Sequence, residues 1–176
     1  MTYLIVLAAI VARFAPHPPN FSPVFAALLF GGAKLKKRDS LWFPVTLLAV
    51  SDFLLTTQIY GMGFGWYYLL DWAGFAAVAL VGWWLRDRLS VRKILTASLA
   101  GPTAFFLISN FAVWLGGRLY PLTWAGLTAC YIAALPFFGN SLVAGALFSG
   151  VLFGGYEFYR SKFTGNEAHT PPARFR

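Results

Sequence analysis

From Ile94 to Leu115 the chain runs for 22 residues without a charged side chain. A stretch of that length and character matches the roughly 20 apolar residues that carry a helix across a bilayer, and it constrains the fold more than any other feature. Apolar runs recur on both sides of it, and charged residues make up only 11% of the chain. A soluble domain is about a quarter charged, because its surface must be solvated. With 59% hydrophobic residues and a mean hydropathy of +0.64, lipid is the expected solvent for much of this surface. The 19% aromatic fraction fits interfacial belts or an aromatic-lined cavity.

Six segments are expected to span: 3–14, 21–33, 41–57, 66–85, 94–115 and 141–159. Several are short and need neighbours to cover their ends, which implies a compact all-α six-transmembrane-helix bundle. Trp124–Leu135 is too short to cross and is expected to be a short helix or re-entrant segment in the last outer loop. Residues 1–162 form a single transmembrane domain, with 163–176 a disordered cytoplasmic tail.

The net charge of +8 does not indicate nucleic acid, because the basic residues lie between apolar runs. Lys34, Lys36, Lys37 and Arg38 form one segment, Arg86, Arg88, Arg92 and Lys93 a second, and Arg160, Lys162, Arg174 and Arg176 a third. The positive-inside rule puts all three in the cytoplasm, so both termini are cytoplasmic (N-in/C-in). The expected location is the bacterial inner membrane, as a multi-pass protein. The opposite face then carries residues 15–23, 58–65 and 116–140, which are rich in Gly, Pro and aromatics and poor in charge. Elaborate loops on one face suggest a lid over a cavity.

Catalytic signals are weak. Gly61-x-Gly63-x-Gly65 lacks a strand–helix context, there is no Walker lysine or H-E-x-x-H, and the single Cys130 excludes an internal disulfide. The chain is not expected to be an enzyme, nor to hold a metal or cofactor. Polar groups within spans are more informative, since each is costly in hydrocarbon and must face the bundle interior or a cavity. Asp52 in the third span has Arg13 as a plausible partner, and Asp71 lies near an interface, where solvation or capping accounts for it. Asn110 and Trp114, one turn apart, share a helix face and form a candidate pocket wall. Ala8-x-x-x-Ala12 and Ala27-x-x-x-Gly31 are small-xxx-small patterns that allow close helix approach. In Pro16-His17-Pro18-Pro19-Asn20-Phe21-Ser22-Pro23 the prolines force a turn, and their rigidity would hold His17 and Asn20 at the mouth of a cavity.

Two resemblances follow. Ile108-Ser109-Asn110-Phe111-Ala112-Val113-Trp114-Leu115-Gly116 followed by Leu135-Pro136-Phe137-Phe138-Gly139-Asn140 is similar to the biotin-type substrate-binding (S) components of energy-coupling-factor transporters. In those proteins an Asn-containing helix precedes a Pro-Phe-x-Pro-Gly-Asp-like turn that opens the last span. Here Phe138 and Asn140 replace the second proline and the aspartate. The proline stretch, with Phe30-Gly31-Gly32-Ala33 and Ser51-Asp52, resembles a family of uncharacterised bacterial membrane proteins labelled as transport proteins. The S-component resemblance implies uptake of a small vitamin-like molecule, with a membrane coupling subunit docking on Ala8 and Ala12 and a pair of cytoplasmic ABC ATPases driving transport. The candidate substrate-binding residues are His17, Asn20, Asp52, Asn110, Trp114, Tyr131 and Asn140, with Tyr60, Trp66, Tyr120 and Trp124 adding aromatic wall. The alternative is a non-transporting membrane scaffold or assembly protein of the cell envelope.

Overall fold

A computed structural model of the chain describes residues 1–163 except 62, 64, 67 and 88. The tail expected to be disordered therefore lies outside the described residues, apart from Phe163, which is helical. The described residues form six α-helices: α1 (Thr2–Val11), α2 (Val24–Lys34), α3 (Asp39–Leu54), α4 (Tyr68–Trp83), α5 (Val91–Leu115) and α6 (Trp124–Phe163). A 3-10 turn over Ala12–Phe14 extends α1, and a π-helical turn over Leu55–Ile59 extends α3, with Tyr60 N–H donating to Leu55 O at 2.8 Å. No strand occurs among the described residues.

Helix α2 organises the rest. Every residue from Val24 to Ala33 is buried, as expected of a helix that is apolar all round. It contacts each of the other five helices, which pack around it in the order α1, α3, α4, α5, α6. The closest approach is to α4, where Gly32 and Gly82 face one another. A Cβ on Gly82 would lie 2.5 Å from Leu29 O, and one on Gly32 would meet the Ala79 carbonyl. Backbone-to-backbone packing of this kind needs glycine on both helices. On another side, Phe30 packs edge-on against Phe153 and Tyr156 of α6.

Lys34 and Arg86, from two of the basic segments, lie at one end of the bundle, where the ends of α2, α4 and α6 meet the start of α3. Lys34 pairs with Glu157, Arg86 donates from Nη2 to Leu35 O at 2.9 Å, and Trp83 Nε1 donates to Ser40 Oγ at 2.9 Å. Ser90 caps α5 by accepting from Lys93 N–H at 3.2 Å. Tyr3 at the start of α1 donates to Asp39 at the start of α3.

Among the described residues, three helical stretches are long and apolar enough to cross a membrane: Asp39–Ile59, Val91–Leu115 and Trp124–Phe163. The chain is an all-helical membrane protein. One expectation needs correction. Trp124–Leu135 is neither a re-entrant segment nor a separate short helix; it is the first part of the 40-residue α6, continuous through Pro136. The proline lacks an N–H but does not end the helix, because Tyr131, Cys130 and Phe138 hold this part of α6 along α5. Tyr131 OH donates to Leu107 O at 2.6 Å, Cys130 Sγ lies 3.4 Å from Asn110 O, and Phe138 stacks on Phe106 at 4.4 Å between centroids. Membrane helices tolerate proline where neighbours support the freed backbone.

Candidate functional site: a well above the central helix

The short α2 leaves space above its N-terminus. Eleven residues at 1.5 Å each make it about 16 Å long, against about 37 Å for the 25 residues of α5 beside it. The chain entering α2 therefore forms the floor of a well walled by longer helices. Its cavity measures about 320 Å³ and is lined by Asn20 and Ser22 from the entry loop, Asp52 from α3, and Tyr68, Asp71 and Phe75 from α4. Phe105, Ser109 and Val113 from α5 complete the wall, and Arg13 enters from the end of α1.

The floor owes its shape to the proline stretch. Phe21 N–H donates to Pro18 O at 3.0 Å, closing a turn with Pro19 and Asn20 at its centre. Asn20 has φ 58°, a left-handed conformation that asparagine tolerates, and proline followed by such a residue is the arrangement of a type II turn. Asn140 of α6 clamps this turn, its Nδ2 donating to Pro19 O at 3.0 Å. The His17 ring folds back on its own loop, with Nδ1 2.9 Å from Pro18 O and Nε2 3.0 Å from Arg13 O. Both neighbours are carbonyl oxygens, which only accept, so a neutral imidazole donates to one of them and packs its other nitrogen beside the second, between the end of α1 and the turn.

The charged groups form a triad of unequal company. Arg13 Nη1 lies 2.7 Å from Asp52 Oδ1 and donates to Ser51 Oγ at 2.9 Å, both ionic side chains being less than a fifth exposed. Asp71 faces the same well, and among the described residues no ion pair or hydrogen bond reaches its carboxylate. Aromatic rings supply the apolar part: Phe75 stacks on Phe105 at 4.6 Å, and Phe25 meets Phe105 edge-on at 5.3 Å.

A second, smaller cavity of about 140 Å³ adjoins the well, sharing Asn20, Phe105 and Ser109 with it. It reaches Asn110 of α5 and Phe137, Phe138 and Ser141 of α6.

Of the candidate binding residues, Asn20 and Asp52 line the well, and Asn20 and Asn110 line its annex. The remainder are engaged elsewhere. His17 and Asn140 hold the entry turn, Tyr131 ties α6 to α5, and Trp114 Nε1 donates to Pro121 O at 3.0 Å, fastening the α5–α6 connection. The turn expected at Leu135–Asn140 is helical, so Asn140 opens no span and projects from within α6. Ala8 and Ala12 lie on an exposed face of α1 beside Leu4 and Val11.

Sequence reasoning missed Asp71, Tyr68, Phe75, Ser109 and Val113. Their spacing carries the signal: 68, 71 and 75 follow i, i+3, i+7 on α4, while 105, 109 and 113 follow i, i+4, i+8 on α5. Each set is one helix face.

Residues 1–170 match the family of unknown function DUF6580, and the chain belongs to that family. No curated protein and no solved structure matches the chain.

Proposed function

We propose that the chain is the substrate-binding membrane component of an uptake transporter of the energy-coupling-factor kind, taking a small molecule into the well above α2. The observation that carries this reading is the well itself. A cavity of about 320 Å³ with aromatic walls and a few converging polar groups has the composition of a small-molecule site. In this reading the bundle crosses the bacterial inner membrane six times, with both termini and the three basic segments in the cytoplasm and the well opening outward. Lys34 and Arg86 support that orientation by lying at the end of the bundle away from the well. The exposed Ala8 and Ala12 face on α1 would receive a membrane coupling subunit, itself driven by cytoplasmic ABC ATPases.

The test is mass spectrometry of the purified protein. Denaturing the wild type should release a stoichiometric small molecule, and Ser109→Trp, which fills the well from its α5 wall, should release none at equal yield and monodispersity. A wild type that carries only lipid and detergent, or a variant that retains the full complement, would overturn the proposal.

A further inference from the structure

The charges around the well do not balance. Two carboxylates, Asp52 and Asp71, and one guanidinium, Arg13, line it, and no lysine or histidine does so among the described residues. Arg13 is already committed, paired with Asp52 and donating to Ser51. That pairing leaves no free cation for an anionic ligand to meet. It also leaves Asp71 as an acceptor with no counter-charge, in a region where unpaired charge is costly and is relieved by a partner. Much of the remaining lining is apolar or aromatic, through Phe25, Tyr68, Phe75 and Phe105. Aromatic faces attract cations as well as apolar bodies. A bare metal ion does not suit this lining, and no cluster of three metal-ligating side chains occurs among the described residues.

We infer that the ligand of the well is a small organic monocation with an apolar, aromatic-sized body, its ammonium or amidinium group against Asp71 and its body against Phe75 and Phe105. The inference rests on the binding role proposed above and adds the chemical class. Size sets a further bound. A water occupies about 30 Å³ of liquid, so the well has room for about ten waters, or an organic molecule with about that many non-hydrogen atoms. Ser22, Asn20 and Ser109 supply hydrogen-bonding groups for any polar substituent, and the annex beside Asn110 admits a short extension.

Three probes of nearly equal size and different charge separate the possibilities: 2-phenylethylamine, 2-phenylethanol and phenylacetate. Each is titrated by calorimetry at neutral pH into the full chain in lipid nanodiscs. The amine should bind about tenfold or more tighter than the alcohol, and phenylacetate should bind weakest. Asp71→Asn, which keeps shape and removes charge, should erase the advantage of the amine while leaving the alcohol unchanged. Equal affinity for all three, or a lead for phenylacetate, would overturn the charge assignment and leave the binding role standing. If no probe binds, the molecule released from the denatured wild type decides: a cation upholds the assignment, and a neutral or anionic molecule overturns it. Failure of every probe together with an empty wild type would overturn both proposals.

Discussion

Asp52 and Asp71 border one cavity and have opposite company. Asp52 is held by Arg13 at 2.7 Å, and neither side chain is more than a fifth exposed. Removing one member of such a pair strands the other charge, at a cost of about 3–5 kcal/mol, whereas replacing both with apolar groups is often close to neutral. Arg13→Met and Asp52→Leu should therefore each lower stability by about that amount, and the double variant should recover most of it. Equilibrium unfolding of the four proteins in mixed micelles measures the cycle. The pair was legible in the sequence, because a carboxylate inside an apolar run requires a partner and few bases lie outside the basic segments. Asp71 was not legible in the same way, since a carboxylate three residues into a helix is equally well explained as a solvated end. Only the packing of α4 against α5 turns it inward. On α5 the well takes a face next to the expected one, and Asn110 lines only its annex. Asn110 and Trp114 share a face, but the well is lined by Ser109 and Val113, one residue earlier and about 100° around the helix.

At the scale of elements, the contact between α2 and α4 sets the bundle's register. Gly32 and Gly82 let two backbones touch, and Cβ atoms there would press on carbonyl groups that cannot move aside. Gly32→Val should cost about 1–3 kcal/mol or more through overpacking, whereas Gly154→Val on α6, where a Cβ would meet nothing within 4 Å, should leave thermal stability in detergent unchanged. Small-residue spacing in the second span pointed to close packing, but it singled out Ala27 and Gly31 when Gly32 makes the tightest contact. Spacing shows that a helix can be approached and leaves open which face its neighbour takes. The same limit explains α6. Hydropathy divides it at Leu135–Asn140 because a proline and a glycine sit there, while the tertiary bonds of Cys130 and Tyr131 to α5 keep it continuous.

For the molecule as a whole, the helical class and the approximate place of each helix could be read from the apolar runs, because bilayer thickness imposes their length. The well could not, since it arises from the difference in length between α2 and the helices around it, and no local pattern records that difference. This difference has an electrical meaning. The floor of the well stands about 16 Å from the basic end of α2, roughly half the 30 Å thickness of a hydrocarbon core. With the outward orientation and the cationic ligand proposed above, a monocation that reaches Asp71 would have passed through a good part of the membrane field. Moving one charge through the full field is worth about 2.3 kcal/mol per 100 mV, so binding alone should carry roughly 1 kcal/mol per 100 mV, or about a fivefold change in affinity. Titrating proteoliposomes with the well facing outward, clamped at different potentials, measures it; affinity for 2-phenylethylamine should rise as the interior is made negative, and that for 2-phenylethanol should not. The short central helix would then make the site a sensor of membrane voltage as well as a receptacle.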